Sequence, residues 1–142
     1  MGIFLDRGVE RVRSDDVSEP TVRAALSFVL GDVVYNLGRI AQADTLVESA
    51  IELRLSALSP AEAATDLELA SMERLLGRIR IMVGDLEAST AYLDRAASRQ
   101  WAASPEPDRE LGLTLQALST ALERRGDLDS ALVTARRAAD VL

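Results

Sequence analysis

The 142-residue chain has no cysteine and no histidine, and every one of its 16 basic residues is an arginine. Without those two residue types there is no disulfide, no zinc or iron–sulfur ligation, no thiol nucleophile and no imidazole for acid–base work. Metal binding by carboxylates alone is the formal remainder, and no metal or cofactor is expected. The exclusive use of arginine fits a high-GC bacterial genome better than a phosphate-binding device. No apolar run reaches the roughly 18 residues that a bilayer span requires. The opening MGIFLDRGVERVRSDD carries acids too early and lacks the apolar centre of a signal peptide, and Asp6 stands where a myristoylation motif needs Ser or Thr. The chain reads as cytoplasmic. Its net charge of −7 leaves no basic face with which to displace counterions from nucleic acid or to meet an anionic membrane, so neither is an expected partner. Glycine-rich phosphate loops, GxSxG and HExxH are absent, and an enzyme is not expected.

Aromatics are also scarce, with one Trp, two Tyr and two Phe, whereas Ala and Leu dominate, which favours helices packed closely through small side chains. The length suits a single domain over 1–142. Within it the stretch VGDLEASTAYLDRAASRQ at 83–100 has a near-echo in RGDLDSALVTARRAADVL at 125–142. Gly84-Asp85-Leu86 matches Gly126-Asp127-Leu128, a shift of 42 residues. A further copy opens at Gly38-Arg39-Ile40, which sets Ala43, Val47 and Ala50 against Ser89, Leu93 and Ala96, a shift of 46. At the front FLDRGVERV aligns with YLDRAASRQ, placing Gly8 with Ala50, Ala96 and Ala138. A period of this size marks a repeat architecture whose units bury their apolar faces only against one another.

Between successive turn glycines lie two segments with apolar residues recurring at three and four, so each unit is a helical hairpin. Ser59-Pro60-Ala61-Glu62 forms a capping box with Pro at the first helical position; Ser104-Pro105-Glu106-Pro107 and Ser18-Glu19-Pro20 do similar work. Gly38, Gly84 and Gly126 end the first helices, and Asp85 and Asp127 are expected to cap the second ones. Helices are predicted near 3–13, 20–37, 40–57, 60–83, 86–102, 106–125 and 128–141. The predicted core is Leu30, Val34, Leu46, Val47, Ala50, Leu76, Leu93, Ala96, Leu118, Leu122 and Ala138.

Leu30-Gly31, Leu76-Gly77 and Leu118-Ser119, each ending seven residues before a turn Gly, together with the small residues Ala43, Ser89 and Ala131 and then Ala50, Ala96 and Ala138, resemble the tetratricopeptide repeat. The 42-residue spacing resembles the kinesin-light-chain subclass, and LDRGVERV with LGDVVYNLGRIAQADTLVESAIELR looks like repeats that follow the kinase domain of some bacterial serine/threonine kinases. The pattern departs at Ser119 for Gly, at Arg80 where an apolar or aromatic residue is usual, and at Ala135 where a larger apolar one is. The resemblance implies an all-α, right-handed α-solenoid of helical hairpins, about three and a half repeats in seven helices. The divisions are a second helix of a partial repeat over 1–16, then repeats over 17–58, 59–103 and 104–142.

The resemblance also implies a concave groove lined by the first helices, at Asp32, Tyr35 and Asn36, then Arg74, Arg78 and Met82, then Gln116, Thr120 and Glu123. Arg74 and Arg78 lie one turn apart, so both guanidinium groups can face a carboxylate or a peptide backbone; the competing reading pairs them with Glu73, Glu68 or Asp44. The basic clamp that chaperone-binding repeats use for a C-terminal carboxylate is not reproduced, since its positions hold Ser71, Arg74 and Arg78 and, in the first repeat, Phe28 and Asp32. The expected function is a non-catalytic scaffold that binds a protein or peptide segment in the groove, as part of a larger bacterial signalling protein. A sensor domain for a small molecule or peptide is the alternative. Trp101, Tyr92, Phe4 and Phe28 read as packing residues, and Asp15-Asp16 with Glu106, Asp108 and Glu110 as acids at helix starts. Self-association through exposed terminal helices is expected, with Ile3, Phe4 and Val9 at one end and Leu132, Val133 and Val141 at the other.

Overall fold

The computed structural model describes residues 5–9 and 19–142. Among them are eight helices and no strand: α1 (5–9), α2 (Pro20–Asn36), α3 (Ile40–Ser56), α4 (Pro60–Ala63), α5 (Leu67–Val83), α6 (Leu86–Ala103), α7 (Arg109–Arg125) and α8 (Leu128–Val141). The all-α hairpin repeat is therefore present, with one more helix than the periodicity predicts. The chain divides into two compact units, Met1–Ser59 and Pro60–Leu142. Ile3, Phe4, Asp15, Asp16 and Ser18 lie outside the described residues.

In the first unit α2 and α3 form a hairpin that reverses at Gly38, whose φ of 82° suits a residue without Cβ. The two helices touch backbone to side chain at Gly31: a Cβ there would lie 2.6 Å from a Val47 methyl. The Leu-Gly pair is thus a contact surface, and Ala24, Val34, Ala43, Leu46, Val47 and Ala50 fill the interior beside it. Ser27 is buried as well, and its hydroxyl donates to the Leu46 carbonyl at 2.7 Å. Leu30 is only half-buried, because the α1 residue facing it is Gly8, which has no side chain to cover it. Val9, expected on an exposed end, is 3% exposed and belongs to the core.

The second unit contains two full hairpins, α5–α6 and α7–α8, and α7 packs on α6. Leu76, Leu93, Ala96, Leu118 and Ala138 are buried as the pattern predicts. Leu122 is half-buried, at an open cavity beside Trp101. The predicted helix 60–83 is broken in two. Its capping box starts only the short α4, and α5 starts afresh with Asp66 as N-cap, accepting from the Leu69 amide at 2.6 Å. The break has a physical cause at Ala63. In a continuous helix its carbonyl would take the amide four residues on; here it accepts from the Asp66 amide at 3.3 Å and from Arg99 Nη1 at 2.5 Å.

One other helix start and one cap also differ. Helix α7 begins at Arg109, not 106, with Asp108 as the cap accepting from the Leu111 amide at 3.0 Å. Pro107 disfavours helical backbone at Glu106, so the earlier start is sterically opposed. Asp85 caps α6 as expected, accepting from the Ala88 amide at 3.2 Å. Asp127 occupies the cap position of α8 but makes no capping hydrogen bond, and its carboxylate instead meets Arg125 Nε at 3.2 Å. Leu132 and Val133 are exposed on α8, at 54% and 57%, whereas Val141 is half-buried.

Candidate partner-binding site

The second unit sets two first helices, α5 and α7, beside each other, and a cleft of about 280 Å³ opens between them. Its walls are Arg74 and Arg78 from α5 and Gln116 and Thr120 from α7, with Leu113 and Ala117 as apolar surface. The repeat makes this cleft. Gln116 and Thr120 stand 42 residues after Arg74 and Arg78, so equivalent positions of consecutive hairpins face the same space, each pair one helical turn apart. Leu113 and Ala117 were not among the expected lining residues. The spacing 113, 116, 117, 120 is one helical stripe, and that periodicity is the signal which finds them.

Arg74 is anchored: its Nη1 lies 2.7 Å from Glu110 Oε2 and donates to the Glu110 carbonyl at 3.2 Å. The competing reading's pairing of Arg74 with Glu73 does not occur, because Glu73 turns inward to Arg99. Arg78 is exposed at the cleft. The Thr120 hydroxyl donates to the Gln116 carbonyl at 3.2 Å, which leaves its lone pairs to accept from a ligand. Guanidinium donors, an amide that both donates and accepts, and a hydroxyl acceptor above an apolar floor together suit an acidic side chain or an extended peptide backbone.

Four of the nine expected groove residues thus meet in one cleft. Met82, 58% exposed, and Glu123 lie near the C-terminal ends of α5 and α7 and do not line it. Asp32, Tyr35 and Asn36 sit on α2 of the first unit, where Asn36 Nδ2 donates to the Asp32 carbonyl at 2.8 Å and to Asp32 Oδ1 at 3.4 Å.

Glu73, 1% exposed, forms a forked pair with Arg99: Nε to Oε1 at 2.7 Å and Nη2 to Oε2 at 3.2 Å. Burial pushes its carboxyl above the usual range, against the pull of the Arg99 hydrogen bond and charge and of Arg95. Asp94 is exposed, unlike Glu73, and partial desolvation raises its carboxyl, opposed by Arg125. Asp94 borders a second cavity of about 420 Å³ between α6, α7 and α8. Trp101 stands at that cavity with Arg137 5.9 Å from its ring centre. Tyr92 is half-buried between Arg80 and Arg95, whose guanidinium carbons lie 5.9 and 5.2 Å from its ring. Among the described residues no helix is long and apolar enough to cross a membrane.

No protein-family model and no curated protein matches the chain. Seven chains of solved structures do. One of them is the crystal structure of BtubC (BKLC) from P. vanneervenii, a kinesin-light-chain-like tetratricopeptide protein, with a TM-score of 0.78 over 96% of this chain at 17% identity. This chain spans 56% of that one. At such identity the likeness is one of fold, and the fold it supports is the tetratricopeptide-like helical repeat.

Proposed function

We propose that this chain is a protein-interaction scaffold that binds an extended peptide segment bearing an acidic side chain, with Arg78, Gln116 and Thr120 as direct contacts and Arg74 behind them. The observation that carries this reading is the convergence of repeat-equivalent residues on the α5–α7 cleft. Arginine supplies forked donors that match a carboxylate, and amide and hydroxyl groups beside it suit the peptide backbone. At about 280 Å³ the open cleft falls just below the roughly 300–1,000 Å³ of a pocket that engulfs a small molecule, and it suits one side chain of a longer segment lying along the helices. Met82 and Glu123, on the same two helices, belong to this proposal as more distant contacts of that segment, whereas Asp32, Tyr35 and Asn36 are a separate group on α2 of the first unit.

The test is a peptide array of random 12-mers probed with the parent chain and with Arg78→Ala and Gln116→Ala. Selected peptides should carry Asp or Glu at one recurring position and should lose about ten-fold or more in affinity with either variant, as expected when a charge-assisted hydrogen bond is removed. Binders with no acidic preference, or equal affinity for all three proteins, overturn the assignment.

A further inference from the structure

Helix α8 carries a second apolar stripe besides the one that faces α7. Ala131, Thr134 and Ala138 are buried, while Leu128, Leu132, Ala135 and Ala139, spaced 4, 3 and 4 residues apart, are all exposed, the two leucines at 63% and 54%. This is the spacing of a coiled-coil seam. The repeat shows what such a stripe does elsewhere. Its equivalents 42 residues earlier on α6 are Leu86, Thr90, Leu93 and Ala97, and the last three are 4%, 0% and 7% exposed, because α7 lies against them. Stripe positions on a second helix are therefore helix-covering positions.

The residues on α8 are nevertheless not those with which α6 receives a following hairpin. On α6, Leu93 packs against Leu118 and Ala121 of α7, and the Thr90 hydroxyl accepts from Arg125 Nη1 at 2.8 Å. On α8 the large Leu93 is replaced by Ala135 and the hydroxyl of Thr90 by the apolar Leu132. What results is a stripe with two large residues at its N-terminal half and two small ones at its C-terminal half, which is self-complementary when two copies run antiparallel. About a two-fold axis passing between Leu132 and Ala135, an antiparallel second α8 brings Leu128 opposite Ala139 and Leu132 opposite Ala135. The charges agree with that register. Asp129 and Arg136 flank the stripe on the side away from α7 and are exposed, and the same two-fold sets each Asp129 against Arg136 of the other copy. The shallow recess between α7 and α8, lined by Ser119, Glu123, Leu128 and Leu132 among others, adjoins the seam.

We propose that the occupant of this face is a second copy of the chain, docked antiparallel through α8 as a two-fold dimer with Leu–Ala layers in the seam and two Asp129–Arg136 pairs beside it. A seam along a helix about 20 Å long is smaller than the roughly 1,200 Å² of a tight interface, so association falls near about 10–100 µM.

Sedimentation from about 5 to about 300 µM tests this on the whole chain, with circular dichroism to confirm that each variant is folded. The parent should pass from monomer to dimer and stop there. Leu132→Glu should abolish the dimer, and Asp129→Arg and Arg136→Asp alone should each weaken it about three-fold or more. The double reversal Asp129→Arg with Arg136→Asp should restore it, because the pairs are remade with opposite polarity; this arm stands even if Leu132→Glu fails to fold. A parent monomeric throughout, a dimer indifferent to Leu132→Glu, assemblies that keep growing with concentration, or no restoration by the double reversal each overturn the proposal.

Discussion

Ser119 Oγ donates to the Ala131 carbonyl at 2.8 Å across the α7–α8 hairpin, and one repeat earlier Ser89 Oγ donates to the Gly77 carbonyl, also at 2.8 Å. Positions 77 and 119 are equivalent, as are 89 and 131. The same hairpin cross-link is thus made in both copies with donor and acceptor exchanged between the helices. The serine that departs from the glycine pattern is accommodated because its partner position has become alanine. Ser89→Ala and Ser119→Ala should each lose about 1 kcal/mol in urea denaturation. The loss at buried Ser89 should be the larger, since Ser119 is only half-buried.

Gly77 separates close approach from backbone conformation. A Cβ there would lie 2.5 Å from Leu93 Cγ, whereas at Gly84, with φ of 84°, it would meet nothing within 4 Å. Gly77→Ala should cost about 1–3 kcal/mol by overpacking, and much of the loss should be absent when it is measured in a Leu93→Ala background. Gly84→Ala should cost about 1 kcal/mol through its left-handed backbone alone and should add to Leu93→Ala independently.

Glu73→Ala leaves Arg99 without its carboxylate in a largely buried site, side-chain exposure being 16% for Arg99 and 1% for Glu73. The expected loss is about 3 kcal/mol, read by chemical denaturation. The pH dependence has a defined sign. The Glu73 carboxyl is raised above 4.5 in the folded state, so its contribution to stability is full below that value and declines as pH rises through the higher folded one. Glu73→Gln carries no such titration. Between pH 4.5 and 7 the parent should lose stability relative to Glu73→Gln, and parallel melting curves across that window would contradict the assignment.

Glu110 competes with any ligand for Arg74 through the 2.7 Å ion pair. Removing the competitor with Glu110→Gln should tighten binding of acidic peptides about two- to five-fold, the range set by an ion pair whose carboxylate side chain is 56% exposed. Anisotropy titrations with a peptide selected on the parent provide the measurement; unchanged or weaker affinity would count against Arg74 as a cleft residue.

Much of the hairpin architecture was legible because its signals are local and periodic: the turn glycines, the three-and-four spacing, and the small residues at Ala43, Ser89 and Ala131. The break before α5 was not, since it depends on Arg99 reaching a carbonyl 36 residues away, a relation with no local trace. The buried role of Glu73 was hidden for the same reason, because charge placement on a helix face does not reveal which carboxylate is drawn inward by a distant guanidinium. In the cleft Arg74, Arg78, Gln116 and Thr120 came from the resemblance to the tetratricopeptide repeat, with spacing supporting only the one-turn separation of Arg74 and Arg78. The pairing of Arg74 with Glu110 did not, because it joins two hairpins.

The Arg99 clasp on Ala63 bears on the order in which the second unit assembles. Helical turns and the α5–α6 hairpin form through contacts close in the chain, whereas the clasp closes a long loop and requires α6 to be seated on α5 first. It is therefore expected to act as a late latch, largely absent from the folding transition state. A lesion there, such as Arg99→Leu, is expected to leave the refolding limb of a chevron nearly unmoved and to steepen the escape from the native state, so that the short α4 owes its persistence to slow unfolding more than to fast folding.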